Sequence, residues 1–167
     1  MNNTKFFLTV ACFLILTLGM QTVNAQPDKT TFTNTILKLN NNKAVKISDF
    51  KGKVMLLDFW YLSCYPCLKA IPDLIKLQKE FKDDLVIIGI NDVDDQEFIT
   101  EYFKKKEVNY FSTYKTDKNF SKSLNINAHP TIMLYDKQGK LIHTDTGYSK
   151  TGMRTLKRAI KNALRKE

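Results

Sequence analysis

Cysteine and histidine are scarce in this chain, at three and two among 167 residues. The cysteines are Cys12, Cys64 and Cys67, and the histidines are His129 and His143. So few cysteines cannot build the multi-bridge framework of a small disulfide-stapled domain. A structural zinc site needs about four ligands. A zinc half-site at Cys64 and Cys67 would have only the two histidines to complete it. No internal repeat, long linker or nucleic-acid motif accompanies the net charge of +9. That excludes nucleic acid as the partner the composition points to. Lysines cluster at Lys104-Lys105-Lys106, and lysines and arginines recur from Lys150 to Lys166. They read as solvated helix faces, with an anionic partner or membrane surface as the alternative.

Acid is absent from the first 25 residues, where Lys5 is the only charge. An apolar run from Phe6 to Met20 follows, then Val23-Asn24-Ala25. This pattern predicts a secretory signal cut after Ala25. An uncleaved anchor is the alternative. Thr9, Thr17 and Gly19 break the run, which is short against the roughly 20 residues of a span. A lipidated Cys12 is a third reading, from Leu8-Thr9-Val10-Ala11-Cys12, but only Phe6 to Thr9 precede it. Cleavage leaves residues 26–167, or 142 residues (167 − 25), the size of one domain. It also leaves Cys64 and Cys67 as the only cysteines. Their loop is too small to restrain much of the unfolded chain, so the pair does not read as a staple.

Gln26 to about Thr31 is polar and reads as loose. Thr35 to Ile47 predicts two short strands turning at Asn40-Asn41-Asn42. Asp49 to Lys53 is a turn into Val54–Trp60, a near-continuous apolar run that suits a central strand buried on both faces. Helical spacing runs from Tyr65 to Phe81, with Leu68, Ile71, Leu74, Ile75, Leu77 and Phe81 inward and a kink expected at Pro72. Leu85–Ile90 is a second buried strand. Asp95–Lys106 is an amphipathic helix using Phe98, Ile99, Tyr102 and Phe103. Tyr110–Tyr114 reads as an edge strand and Lys118–Leu124 as a short helix. Thr131–Tyr135 and Lys140–Thr146 form a hairpin over Asp136-Lys137-Gln138-Gly139. Thr151–Arg165 is a last helix with Met153, Leu156, Ile160 and Leu164 inward. The fold class is α/β, a mixed central sheet flanked by helices.

Within this order, Cys64-Tyr65-Pro66-Cys67 follows a buried strand and opens a helix. The first sulfur then meets unpaired backbone N–H groups and the positive end of the helix dipole, which favour its thiolate. The thiolate is the species that attacks disulfides.

These residues resemble the thioredoxin fold. More narrowly, the chain is similar to the exported TlpA/ResA-like thiol-disulfide oxidoreductases over nearly all of residues 26–167. The resemblance rests on Asp58-Phe59-Trp60 ahead of the cysteines, Pro72 five residues after Cys67, and Ser48-Asp49-Phe50-Lys51-Gly52-Lys53 after the N-terminal β-hairpin. Ala128-His129-Pro130-Thr131 and Gly147 complete it, and the segment around Asp95–Val108 matches a TlpA-like insertion. It implies a redox-active disulfide between Cys64 and Cys67, with Cys64 as the exposed nucleophile and Cys67 as the resolving thiol. Pro130 is expected in cis, with an ordinary trans-proline as the alternative, facing the cysteines and offering backbone groups to an extended substrate beside Thr131. Asp58 is an acid inside an apolar strand. Buried, it would have a raised pKa and exchange a proton with Cys67 through water; at the sheet's rim it would be satisfied. His129, next to the cis-proline, either stabilises the Cys64 thiolate when charged or only shapes the groove. Trp60, Tyr65 and Pro66 are expected at the apolar rim that receives a protein partner, although Trp60 suits the core equally.

The departures leave potential and substrate open. Ser63 stands where thioredoxins usually have Trp, Tyr65-Pro66 is an uncommon intervening pair, and Leu85–Ile90 offers no lysine to Asp58. The resemblance implies an exported reductase of protein disulfides in a bacterial periplasm, without a cofactor or metal. Oxidised envelope proteins or apocytochrome c would be its clients, and a membrane thiol reductase of the DsbD/CcdA type its donor. An oxidase or isomerase is the same chemistry reversed. A copper-handling module using Cys64, Cys67 and a histidine is the reading from another class, and the cysteine pattern of peroxiredoxins is absent.

Overall fold

The structure is a computed structural model and describes residues 34–165. The predicted signal, Cys12 and the polar stretch from Gln26 to Thr31 lie outside the described residues. Strands β1 (Ile36–Lys38) and β2 (Ala44–Lys46) pair antiparallel. Their turn places Asn42 at a left-handed φ of 66°, a conformation that Asn tolerates better than most residues. A 3-10 turn at Ile47–Phe50 leads into β3 (Val54–Phe59).

The remaining elements are α1 (Tyr65–Phe81), β4 (Leu85–Ile90), α2 (Gln96–Lys105) and β5 (Phe111–Ser112). Then come α3 (Lys118–Ser123), β6 (Thr131–Tyr135), β7 (Leu141–Thr146) and α4 (Lys150–Arg165). The main sheet has the order β5-β4-β3-β6-β7. β3 runs parallel to β4 and antiparallel to β6, and the β6–β7 hairpin closes one edge. Leu39 bridges Thr113, which ties the N-terminal hairpin to the other edge. Among the described residues, no helix is long and apolar enough to cross a membrane.

All six residues of β3 are buried, as its unbroken apolar run requires. Their side chains alternate between two cores. Val54, Leu56 and the following Trp60 face the layer made by α1, α2 and α4, with Ile71, Leu74, Ile99, Phe103, Leu156 and Ile160. Met55, Leu57 and Phe59 face Leu37, Ile47 and the Phe120 ring. Two inward positions differ from the periodicity. Phe98 is exposed, because Ile99 and Phe103, one turn apart, centre the buried stripe of α2. Ala163 takes the buried place in α4, and Leu164 is half-buried. Helix α1 runs unbroken through Pro72.

The sheet also decides what stands beside Trp60. The Trp60 indole Nε1 donates to Ser112 Oγ at 2.9 Å, over Gly89 of β4. A Cβ on Gly89 would lie 2.6 Å from that nitrogen and 2.9 Å from that hydroxyl. Gly89→Ala should therefore overpack the core and cost about 1–3 kcal/mol. Urea unfolding measures this, and an unchanged midpoint would mean that the contact yields freely.

Candidate active site

The two cysteines occupy the junction that β3 creates. Strand pairing ends at Trp60, whose amide donates to Ile90 O at 3.0 Å, and the chain then turns out of the sheet. Cys64 N donates to Tyr61 O at 3.1 Å, which closes that turn. Cys64 is the N-cap of α1, and its Sγ accepts the Cys67 amide at 3.3 Å. Pro66 sits in the first turn of α1, where a missing N–H leaves no helical hydrogen bond broken. Cys64 and Cys67 are joined as a disulfide, with Cα atoms 5.2 Å apart.

Cys64 is 4% exposed and Cys67 1%, so both are largely shielded in the disulfide form. Cys64 is the more accessible of the two. Tyr65, 69% exposed, and Pro66 present the outer surface of the cysteine turn. The Lys69 ammonium lies 5.2 Å above the Tyr65 ring. Trp60 does not join that rim. It is 1% exposed, hydrogen-bonded to Ser112 and stacked on Phe103 at 5.4 Å. Its indole faces the core because β3's alternation continues one residue past the strand.

The loop before β6 lies next to the cysteine turn. The His129–Pro130 peptide bond is cis, the expected isomer. Phe59 pairs with Thr131, so the end of β3 and the start of β6 lie side by side. Pro130 is buried, its carbonyl accepts Gly147 N at 2.8 Å, and Thr131 Oγ1 donates to Ala128 O at 2.7 Å. The half-buried His129 ring meets Tyr61 edge-on at 5.3 Å, which joins this loop to the cysteine turn. Burial pushes His129 below its usual pKa, and the Asp92 charge opposes this only in part. In this disulfide form burial therefore favours the neutral imidazole.

Asp58 lies in β3 opposite Gly89 and Ile132, inside the sheet and not at its rim. It is 1% exposed, and neither carboxylate oxygen has a hydrogen-bond partner. Burial pushes its pKa up from 3.8 to about 7. Among the described residues, no group of three or more His, Cys, Asp or Glu side chains is arranged to hold a metal.

Two features escaped the pattern of the sequence. Asp94 Oδ2 accepts Leu62 N at 2.7 Å and Asn91 Nδ2 at 2.8 Å, so the loop after β4 grips the turn that precedes Cys64. The acid-rich Asn91-Asp92-Val93-Asp94-Asp95 at the carboxyl end of a buried strand was the available signal. Tyr110 is the second: it is buried on the same face as Cys67, with its hydroxyl unpartnered.

The raised Asp58 pKa has a defined effect on stability. Between about pH 4 and 7 the folded protein holds a proton that the unfolded chain has released, so stability falls as pH rises through that window. Asp58→Asn lacks this loss. In the oxidised protein its stability relative to wild type should grow by about 4 kcal/mol from pH 4 to 8. Denaturant unfolding at several pH values measures it, and a constant difference would refute the desolvation of Asp58.

The comparisons agree with this geometry. The family model for Redoxin matches residues 24–163. The thiol-disulfide oxidoreductase ResA of Bacillus subtilis is 28% identical over 152 residues, covering 87% of this chain and 83% of its own. The thioredoxin-like protein YneN of the same organism is 31% identical over 120 residues, 66% of this chain and 67% of its own. The exposed lipoprotein thioredoxin Etrx1 of Streptococcus pneumoniae superposes with a TM-score of 0.64 at 26% identity, covering 78% of this chain and 96% of that one. A closed cysteine pair at a helix N-terminus beside a cis-proline, on this sheet and in this company, leads to one conclusion: the chain belongs to the Redoxin family and is a thiol-disulfide oxidoreductase with a thioredoxin-like fold.

Proposed function

We propose that the chain is an exported reductase of protein disulfides, with Cys64 as nucleophile, Cys67 as resolving thiol and Asp58 as proton acceptor. The observation that carries this is the Cys64 sulfur at the N-cap of α1, accepting the Cys67 amide. In the reduced state the same amide and the helix dipole stabilise a Cys64 thiolate. That thiolate attacks one sulfur of a substrate disulfide. A mixed disulfide forms at Cys64, and the other substrate sulfur leaves as a thiolate that water protonates. Cys67 gives its proton to the Asp58 carboxylate, and its thiolate attacks the Cys64 sulfur. The Cys64–Cys67 disulfide closes, and the second substrate thiolate leaves. Two electrons have passed from the dithiol to the substrate, so no cofactor is needed. A dithiol donor restores the pair by the reverse exchange, and Asp58 returns the proton.

An acceptor with a pKa of about 7 holds both protonation states in quantity near neutrality, which suits a group that must take and return a proton. Tyr65, Pro66, His129, Pro130 and Thr131 line the groove for an extended polypeptide around the attacked disulfide. Trp60 supports this groove from inside the core.

Charge supports the proposed direction. A strongly oxidising pair requires a Cys64 thiolate stabilised well beyond the helix terminus, and a neutral His129 adds no cation for that. Export is supported by the charge-poor apolar segment before Ala25, with the mature domain at 26–167, and by the likeness to an exposed lipoprotein. The periplasm of a bacterium is the compartment proposed. There the clients are oxidised envelope proteins, apocytochrome c among them, and the donor is a membrane thiol reductase of the DsbD/CcdA type.

Redox titration of the residue 26–167 protein should give a potential near or below about −270 mV. A value near −120 mV would reverse the proposed direction. Cys64→Ser should abolish reduction of a protein disulfide, whereas Cys67→Ser should accumulate mixed disulfides visible on non-reducing gels. Equal activity in the two variants would overturn the assignment of roles.

A further inference from the structure

We propose that Tyr110 is the positioning residue for Asp58: its hydroxyl donates to the Asp58 carboxylate when that group is ionised, directly or through one bridging water. The inference rests on the reading of Asp58 as the proton acceptor for Cys67 and names what supports the acceptor's charge.

The geometry begins with the alternation of β3. Leu56 and Trp60 face the core under α1, so Asp58 between them faces it too. Cys64, Cys67, Phe103 and Tyr110 belong to that same core. Both Asp58 oxygens and the Tyr110 hydroxyl are buried without a partner. An ionised carboxylate in such a place is costly until a donor reaches it. The other donors nearby are committed. The Trp60 N–H goes to Ser112 Oγ, and Ser112 Oγ is itself held against Gly89 O and Thr113 O. No lysine, arginine or histidine is among the buried polar residues described. Tyr110 has a free proton, and its ring is held edge-on against Phe103 at 5.5 Å.

The titratable groups around Asp58 are few. Helix α1 brings Cys64 and Cys67, and α2 brings Tyr102, which is half-buried. β4 brings none. The inward residues of α4 are Met153, Leu156, Ile160 and Ala163, and the side of β6 that shares this core presents Ile132 and Leu134. Tyr61, Tyr114 and Tyr148 pack at the margin. Burial, then the charge of Asp58, then Tyr102 hold the Tyr110 proton firmly. The phenol therefore donates a hydrogen bond without giving up its proton. Tyr110 thereby supplies the donor that a lysine on β4 would otherwise offer, but as a neutral group.

The test is a carboxyl-carbon NMR titration of the oxidised protein carrying labelled aspartate, with the Asp58 signal assigned by its loss in Asp58→Asn. In the disulfide form neither cysteine titrates, so the midpoint reports on Asp58 and its surroundings. Tyr110→Phe keeps the ring and its packing. It should raise the Asp58 midpoint by about one pH unit, the scale of a hydrogen bond to a charged group. Tyr102→Phe should leave the midpoint in place. A midpoint that is unchanged or lower in Tyr110→Phe overturns the proposal, as does an equal rise in Tyr102→Phe. The pH profile of disulfide reduction separates the two readings. If wild type and Asp58→Asn share one profile, the role of Asp58 toward Cys67 fails, while the NMR midpoints still decide the contact with Tyr110.

Discussion

Strand β3 is hydrogen-bonded along both edges and covered on both faces, and the site inherits its geometry from that confinement. A strand so enclosed is almost wholly apolar, so its single acid is cut off from bulk water. It must also end where the covering layers end, and the chain leaves the sheet as a tight turn into α1. The redox pair and the buried carboxylate are thus two results of one constraint. Trp60 extends the strand's alternation by one position and closes the core below the cysteine turn. The cis peptide before Pro130 belongs to the same frame, because β6 pairs with β3 and starts where β3 stops.

The electrostatics of the site are mostly those of missing water. Desolvation drives the Asp58 carboxylate and the His129 imidazole towards neutrality, from opposite sides. The helix terminus remains as the favourable field at the Cys64 sulfur. This sparse field is what the proposed reducing direction rests on.

Most of the architecture was legible from pattern. The bounds of α1, β4 and β6 follow directly from apolar runs and helical spacing, because long periodic segments leave little choice. The cysteine pair and the cis-proline loop were legible from motif and order. Three things were not. The hydrogen bond that holds the Trp60 indole depends on Ser112, which is distant in sequence and joins it only through sheet pairing. The burial of Cys64 depends on the core it joins, to which the sheet and three helices contribute. The lowered pKa of His129 depends on how deeply its ring is buried. Each is a matter of tertiary placement, to which local pattern is blind.

The grip of Asp94 on the Leu62 amide means that the cysteine turn is not a portable cassette. Its backbone is completed by a loop some thirty residues downstream, which leads directly into α2. Grafting residues 61–67 alone onto another scaffold would strand an amide that this chain never leaves bare. The transferable unit is the turn together with Asn91 and Asp94, two pieces of chain that only the β3–β4 pairing brings side by side.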